Sequence, residues 1–232
     1  MTIDPAPDAT LEVPVFGPPL PTVIYNVLRK AIIDGLYQPG TSIRQEALAR
    51  QFSVSRVPIR EALGRLEVDG LIVLRPRRGY VVKGLATEEI IEIFEMRAAM
   101  EEHAAYVATK ARSVVDAQEV QSLLKRMEAM SGNTLAEAPQ WVDVNRQFHH
   151  RIFESSKRLH LCQAIGNYRD RVDRYIRMEI AMTGRLAEAH RDHREIVEAF
   201  VEGDAAAAAG LSRAHCLHTL ERLLHALRGN DA

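Results

Sequence analysis

Imidazoles, guanidiniums and carboxylates recur in this chain at spacings that could do chemistry. Gly203-Asp204 reads as a tight connection between two antiparallel helices, with His193 10 residues before the glycine and His215 12 after it. At the helical rise both rings stand roughly 15–18 Å from the turn, level with each other. A third imidazole, His149, lies one turn from Asn145 on another helical segment. Both border its apolar seam of Trp141, Val144, Phe148 and Ile152. Two histidines meeting across a hairpin, with a third from another helix, make a metal constellation. The alternative is a set of core histidines with hydrogen-bonded partners. His190 and His218, one turn from His193 and His215, form a competing pair, while His150 faces out among Arg146, Arg151 and Glu154.

A second pattern involves charge. The segment 87–110 repeats apolar residues at alternating spacings of four and three: Ile90, Phe94, Arg97, Glu101, Ala104, Ala108. Arg97 and Glu101 stand in line with residues that face a core, and a buried charge is costly unless paired. Either the two form a salt bridge within the helix, or Arg97 clamps a ligand carboxylate.

The third pattern is basic. Arg56 and Arg60, four apart at the start of a helical segment, share one face. Arginine there can bridge two acceptors of guanine or grip a phosphate. Arg77 and Arg78 lie in the Arg75-Pro76-Arg77-Arg78-Gly79 connection between two β-rich runs, where they can reach a neighbouring groove or the backbone. Between Pro21 and Gly84 there are 11 Lys and Arg against 5 Asp and Glu, whereas from Leu85 onward the counts are 19 and 23. A basic first third on an acidic remainder implies that only the first third meets a polyanion.

These side chains need elements to hold them. Three helices are expected over Val23–Leu36, Ile43–Phe52 and Arg56–Asp69, then strands at Leu71–Leu74 and Tyr80–Val82: a winged helix-turn-helix. Val23, Val27, Ala31 and Ile32 mark the first helix's buried face. Ser42 and Gln45 are spaced as a capping box for the second helix, Ser55 caps the third, and Pro58 falls in its first turn. From Thr87, read as a cap, the pattern is helical throughout, with further helices at Val114–Met130, Gln140–Ser155, Leu161–Met182, Leu186–Glu202 and Ala205–Leu227. That is a mainly α chain with a C-terminal antiparallel all-α bundle. The expected division is a disordered tail over 1–20, carrying five prolines, a DNA-binding domain over 21–84 and a helical domain over 85–232. Cys162 and Cys216 form no CxxC pair, which points to a reduced cytoplasm. No apolar run suggests a membrane span, and the tail lacks the regions of a signal peptide.

The runs Gln38-Pro39-Gly40-Thr41, Leu48 to Phe52, Ser55 to Leu63, Leu66 to Gly70 and Pro76 to Val81 resemble the DNA-binding half of the GntR family over about sixty residues. The resemblance implies operator contacts from Ser55, Arg56 and Arg60, with Gly79 and Arg78 at the minor groove. The remainder resembles the FadR subfamily and its helical FCD ligand-sensing domain, on Phe94-Glu95-Met96-Arg97, Glu101, Asn145, Phe148-His149, His193, Gly203-Asp204 and His215. That implies a homodimer, a small organic acid effector held by Arg97 with Glu101, and a divalent metal on His149, His193 and His215. The family's fourth ligand is commonly aspartate, and here the position is Asn145, a neutral and weaker donor. Its Asn-Pro after the third helix of this domain is replaced by Arg158-Leu159. Zinc is the default ion, with nickel or another transition metal as alternative.

Two other classes compete. A metal-dependent enzyme on the bundle is the main one, but no histidine has glutamate three residues before it, and no HExxH, GxSxG or phosphate loop occurs. A non-specific architectural DNA protein is disfavoured by a net charge of −1 and a separate acidic domain. The expected protein is a sequence-specific transcriptional regulator of double-stranded DNA, not an enzyme.

Overall fold

The computed structural model describes residues 18–130, 138–184 and 186–229, and divides into two compact units, one ending at Leu85 and one beginning at Ala86. Of the expected tail, residues 1–17 lie outside the described residues.

The first unit holds helices α1 (Leu20–Ile33), α2 (Gln45–Gln51) and α3 (Arg56–Val68) and strands β1 (Ser42–Ile43), β2 (Ile72–Arg75) and β3 (Gly79–Val82). α1 starts three residues before the expected Val23, because Pro19 and Pro21 suit a first turn whose N–H groups lack intrahelical partners. Its buried face is Ile24, Leu28 and Ile32, rotated from the expected Val23, Val27 and Ala31, which are half-buried. Each of the three helices is stopped by the same device. Gly35, Ser53 and Gly70 take positive φ, and the next amide (Leu36, Val54, Leu71) bonds back to the carbonyl of Ala31, Ala49 or Leu66. Glycine adopts that conformation without strain; at Ser53 the helix-turn-helix bend imposes it on a serine.

The predicted capping box at Ser42 does not form. Ser42 pairs with Val81 as part of β1, and its hydroxyl donates to Arg78 O at 3.1 Å. β1 adds a third strand to the expected hairpin in the antiparallel order β1-β3-β2. The core joins Ile24, Leu28 and Ile32 to Leu48, Phe52, Ile59, Leu63, Leu66, Ile72 and Val82.

The second unit is a helical bundle of α4 (Thr87–Ala111), α5 (Val114–Glu128), α6 (Ala138–Glu154), α7 (Leu159–Thr183), α8 (Leu186–Glu202) and α9 (Ala205–Gly229). The cap of α4 is Ala86, not Thr87, and no side chain bonds there. The capping box that does form is at α5, where Ser113 and Asp116 exchange bonds of 3.1 and 2.7 Å. The hairpin between α8 and α9 turns at Gly203, φ +90°. A Cβ there would come within 2.6 Å of the Arg112 guanidinium, which is held by the carbonyls of Thr109 and Val201. Glycine is favoured here by its backbone conformation, and any side chain would also displace the Arg112 guanidinium. No helix among the described residues is long and apolar enough to cross a membrane.

Candidate functional site

In the first unit, the residues expected to meet DNA are all exposed: Ser55, Arg56, Arg60, Arg77, Arg78 and Gly79. Ser55 precedes α3 in extended conformation, and its side chain makes no capping bond. Arg56 is the first residue of α3 and Arg60 follows one turn later. Pro58 sits in that first turn, where its missing N–H costs no intrahelical bond. At the wing, Arg77 (φ 62°) and Gly79 (φ 73°) bend the chain so that Arg75 and Gly79 pair across the tip. One relationship was not foreseen: Glu46 of α2 pairs with Arg56, Nη2 to Oε1 2.8 Å.

In the second unit, α6, α8 and α9 bring His149, His193 and His215 together, with one nitrogen of each within 4.8 Å of the others and all three buried. Nε2 of His149 and Nε2 of His193 stand 3.3 Å apart. Burial holds His149 and His193 well below the usual histidine range and lowers His215 despite Asp192 beside it, so the rings are neutral at pH 7. Asp192, one residue before His193, lies 3.1 Å from His215 Nδ1. A neutral ring donates there and keeps Nε2 as its acceptor, an outer carboxylate fixing a tautomer as around ligating histidines. The competing pair is not formed. His190 accepts from Trp141 Nε1 at 3.1 Å, and His218, half-exposed, turns to Asp192. His150 is exposed beside Glu154.

The donor set fits a divalent ion. Asn145 Oδ1 is buried without a hydrogen-bond partner, and buried polar atoms are rarely left so. Three neutral imidazoles and an amide oxygen suit a borderline cation such as zinc or nickel.

Beside the histidines lie buried cations. Arg97 and Glu101 form the expected pair, Nε to Oε1 2.9 Å, at 3% and 0% exposure. Arg169 of α7 also donates to both oxygens of Glu101 at 3.3 Å. Burial works against the charges of Arg97 and Glu101, but their attraction outweighs it, raising the arginine and lowering the acid. For Arg169 burial prevails, and its pKa falls. One carboxylate thus serves two buried guanidiniums, and Arg97 Nη1 has no partner. Arg97, Arg169, Asn145, His215 and Arg222 line one small cavity, of about 20 Å³ for a water-sized sphere. That volume holds little more than a water, so a larger guest requires the bundle to open. Glu101 is not among the residues lining it, and its carboxylate is engaged by Arg97 and Arg169.

Sequence reasoning missed Arg169, Arg222 and Asp192. Arg169 carried the same signal as Arg97, an arginine in the apolar seam Cys162, Ile165, Val172, Ile176. Asp192 carried none, since its partner comes from α9.

Comparison with known proteins agrees with this architecture. Residues 20–82 match the model of the bacterial regulatory proteins of the gntR family, and residues 92–218 match the FCD domain. An uncharacterized HTH-type transcriptional regulator of Bacillus subtilis, YdhC, is 30% identical over 88% of this chain and 90% of its own. The gluconate operon transcriptional repressor of Bacillus licheniformis is 34% identical over 74% of this chain and 68% of its own. The solved structure of Escherichia coli McbR/YncC superposes with a TM-score of 0.78 at 22% identity, covering 89% of this chain and 97% of that one, which establishes a shared fold. These matches support a DNA-binding regulator over an enzyme: the chain belongs to the GntR family of transcriptional regulators and carries an FCD ligand-binding domain.

Proposed function

We propose that residues 85–232 bind a divalent ion, zinc in the first instance, through His149, His193 and His215, with Asn145 or water completing the sphere, and that a small organic acid bound there sets operator affinity. The observation that carries this reading is the trio of buried, neutral imidazoles with nitrogens within 4.8 Å of one another. A bound ion would supply a Lewis-acidic anchor for an oxygen of the effector. The chain's own residues do the rest. Asp192 orients the His215 ring, Glu101 fixes Arg97 and Arg169, and the unpartnered Nη1 of Arg97 offers donors to a carboxylate. Three arginines, Arg97, Arg169 and Arg222, against one acid, Glu179, line the cavity and favour an anionic guest, and a repressor of a gluconate operon among the relatives supports the same class and negative control.

Residues 21–84 read the operator, with Arg56 and Arg60 at base edges, Ser55 at the backbone and Arg77, Arg78 and Gly79 at the adjacent minor groove. A two-fold homodimer would present two such units to paired half-sites, in the cytoplasm. The test is elemental analysis of protein purified without an affinity tag, together with melting in added zinc. A bound ion near one per chain, or a rise in melting temperature with zinc, supports the reading. No metal and no shift would leave the histidines as core residues.

A further inference from the structure

We propose that Glu46 is a positioning residue for operator recognition: it braces Arg56 so that the other edge of the guanidinium is presented to a base. This rests on the reading that Arg56 contacts DNA. Glu46 lies in the first turn of α2 and Arg56 is the first residue of α3, so the 2.8 Å pair spans the bend of the helix-turn-helix. Both side chains are about two-thirds exposed, at 64% and 68%, on an open concavity also lined by Arg50 and Ser55.

An exposed pair of this kind contributes little to stability, so folding alone gives weak reason for it. Its placement is also unfavourable for simple attraction, because a carboxylate beside the first residue of the recognition helix repels a polyanion. What the pair can do is geometric. Arginine presents five donors in a planar fork, so with Glu46 held at Nη2 the fork keeps further donors for the two acceptors of guanine. Holding a long side chain in its binding geometry before DNA arrives removes part of the ordering cost of binding. A competing account is that Glu46 merely complements the N-terminus of α2.

The two accounts predict opposite signs. The probe is the duplex that the full-length wild-type protein selects from a random pool, compared with a scrambled duplex of equal length at one salt concentration. Glu46→Ala removes a negative charge, so electrostatics alone tightens binding to both duplexes alike. Bracing predicts instead that affinity for the selected duplex falls about tenfold, a coupling within the range of contacting pairs, while affinity for the scrambled duplex holds or rises. Glu46→Asp keeps the charge at the α2 terminus but shortens its reach, and should lose affinity in the same way. In an Arg56→Ala background, Glu46→Ala should cause no further loss. If Arg56→Ala binds the selected duplex as wild type does, the contact itself is wrong and bracing falls with it. If Arg56→Ala weakens binding but Glu46→Ala and Glu46→Asp do not, the contact stands and bracing is overturned.

Discussion

His149 Nε2 and His193 Nε2 lie 3.3 Å apart inside the helical bundle, on rings that burial keeps neutral. At that distance two lone pairs repel unless a proton or a cation lies between them. Two nitrogens each about 2.05 Å from one zinc ion at the tetrahedral angle stand about 3.3 Å apart. Zinc should therefore raise the melting temperature of the wild type and leave that of His193→Ala unchanged. Asp192→Asn, which keeps all three rings but weakens the acceptor on His215 Nδ1, should reduce zinc affinity roughly 10–100-fold, read by calorimetric titration. An Asp192→Asn protein with wild-type zinc affinity would remove Asp192 from the site.

Acid should destabilise the metal-free fold early. In the unfolded chain His149 and His193 take up protons near pH 6.5, while in the folded chain burial holds them well below that value. The unfolded state then binds more protons, so stability is complete above about pH 6.5 and declines as pH falls through the folded values. The slope reaches at most about 1.4 kcal/mol per pH unit for each histidine. Urea midpoints at pH 7.5, 6.5 and 5.5 measure it, and a midpoint constant across that range would contradict the burial of neutral rings.

Periodicity makes much of this legible in the sequence. Arg97 and Glu101 interrupt the seam Ile90, Phe94, Ala104, Ala108, and all six residues are buried. Ten and twelve residues on either side of Gly203 did bring His193 and His215 together. What stayed hidden depended on contacts between elements. Asp192 matters only because α9 presents His215 to it. Ser42 reads as a cap until β3 arrives to pair with it. Glu46 meets Arg56 only because the bend at Ser53 sets α2 against the start of α3.

Arg60→Ala should weaken binding to the selected duplex by about 1–3 kcal/mol, the worth of one base-specific contact, with an unchanged circular dichroism spectrum. Arg60 is exposed on α3, so folding does not depend on it. Unaltered affinity at physiological salt would mean that α3 docks differently.

Assembly is open to direct measurement. Light scattering at micromolar concentration should give the mass of two chains, near twice 26.0 kDa. A monomer that retains full affinity for the selected duplex would contradict the paired half-site reading.

The central claim is that occupancy of the bundle controls the grip on DNA, and Arg97 is where it is most exposed to test. Arg97→Ala removes the unpartnered Nη1, while Glu101 keeps Arg169 as its partner, so the bundle should still fold. Arg97→Lys keeps the charge but cannot make a planar two-point contact. The measurement is affinity for the selected duplex with and without an organic acid that shifts the wild type, taken from a panel of gluconate and other mono-, di- and tricarboxylates. A ligand changes operator affinity only through different affinities for the two states of the protein. The account predicts that wild type responds, Arg97→Ala binds DNA but does not respond, and Arg97→Lys responds weakly. An Arg97→Ala protein that responds as wild type does would contradict it and return Arg97 to a structural partner of Glu101.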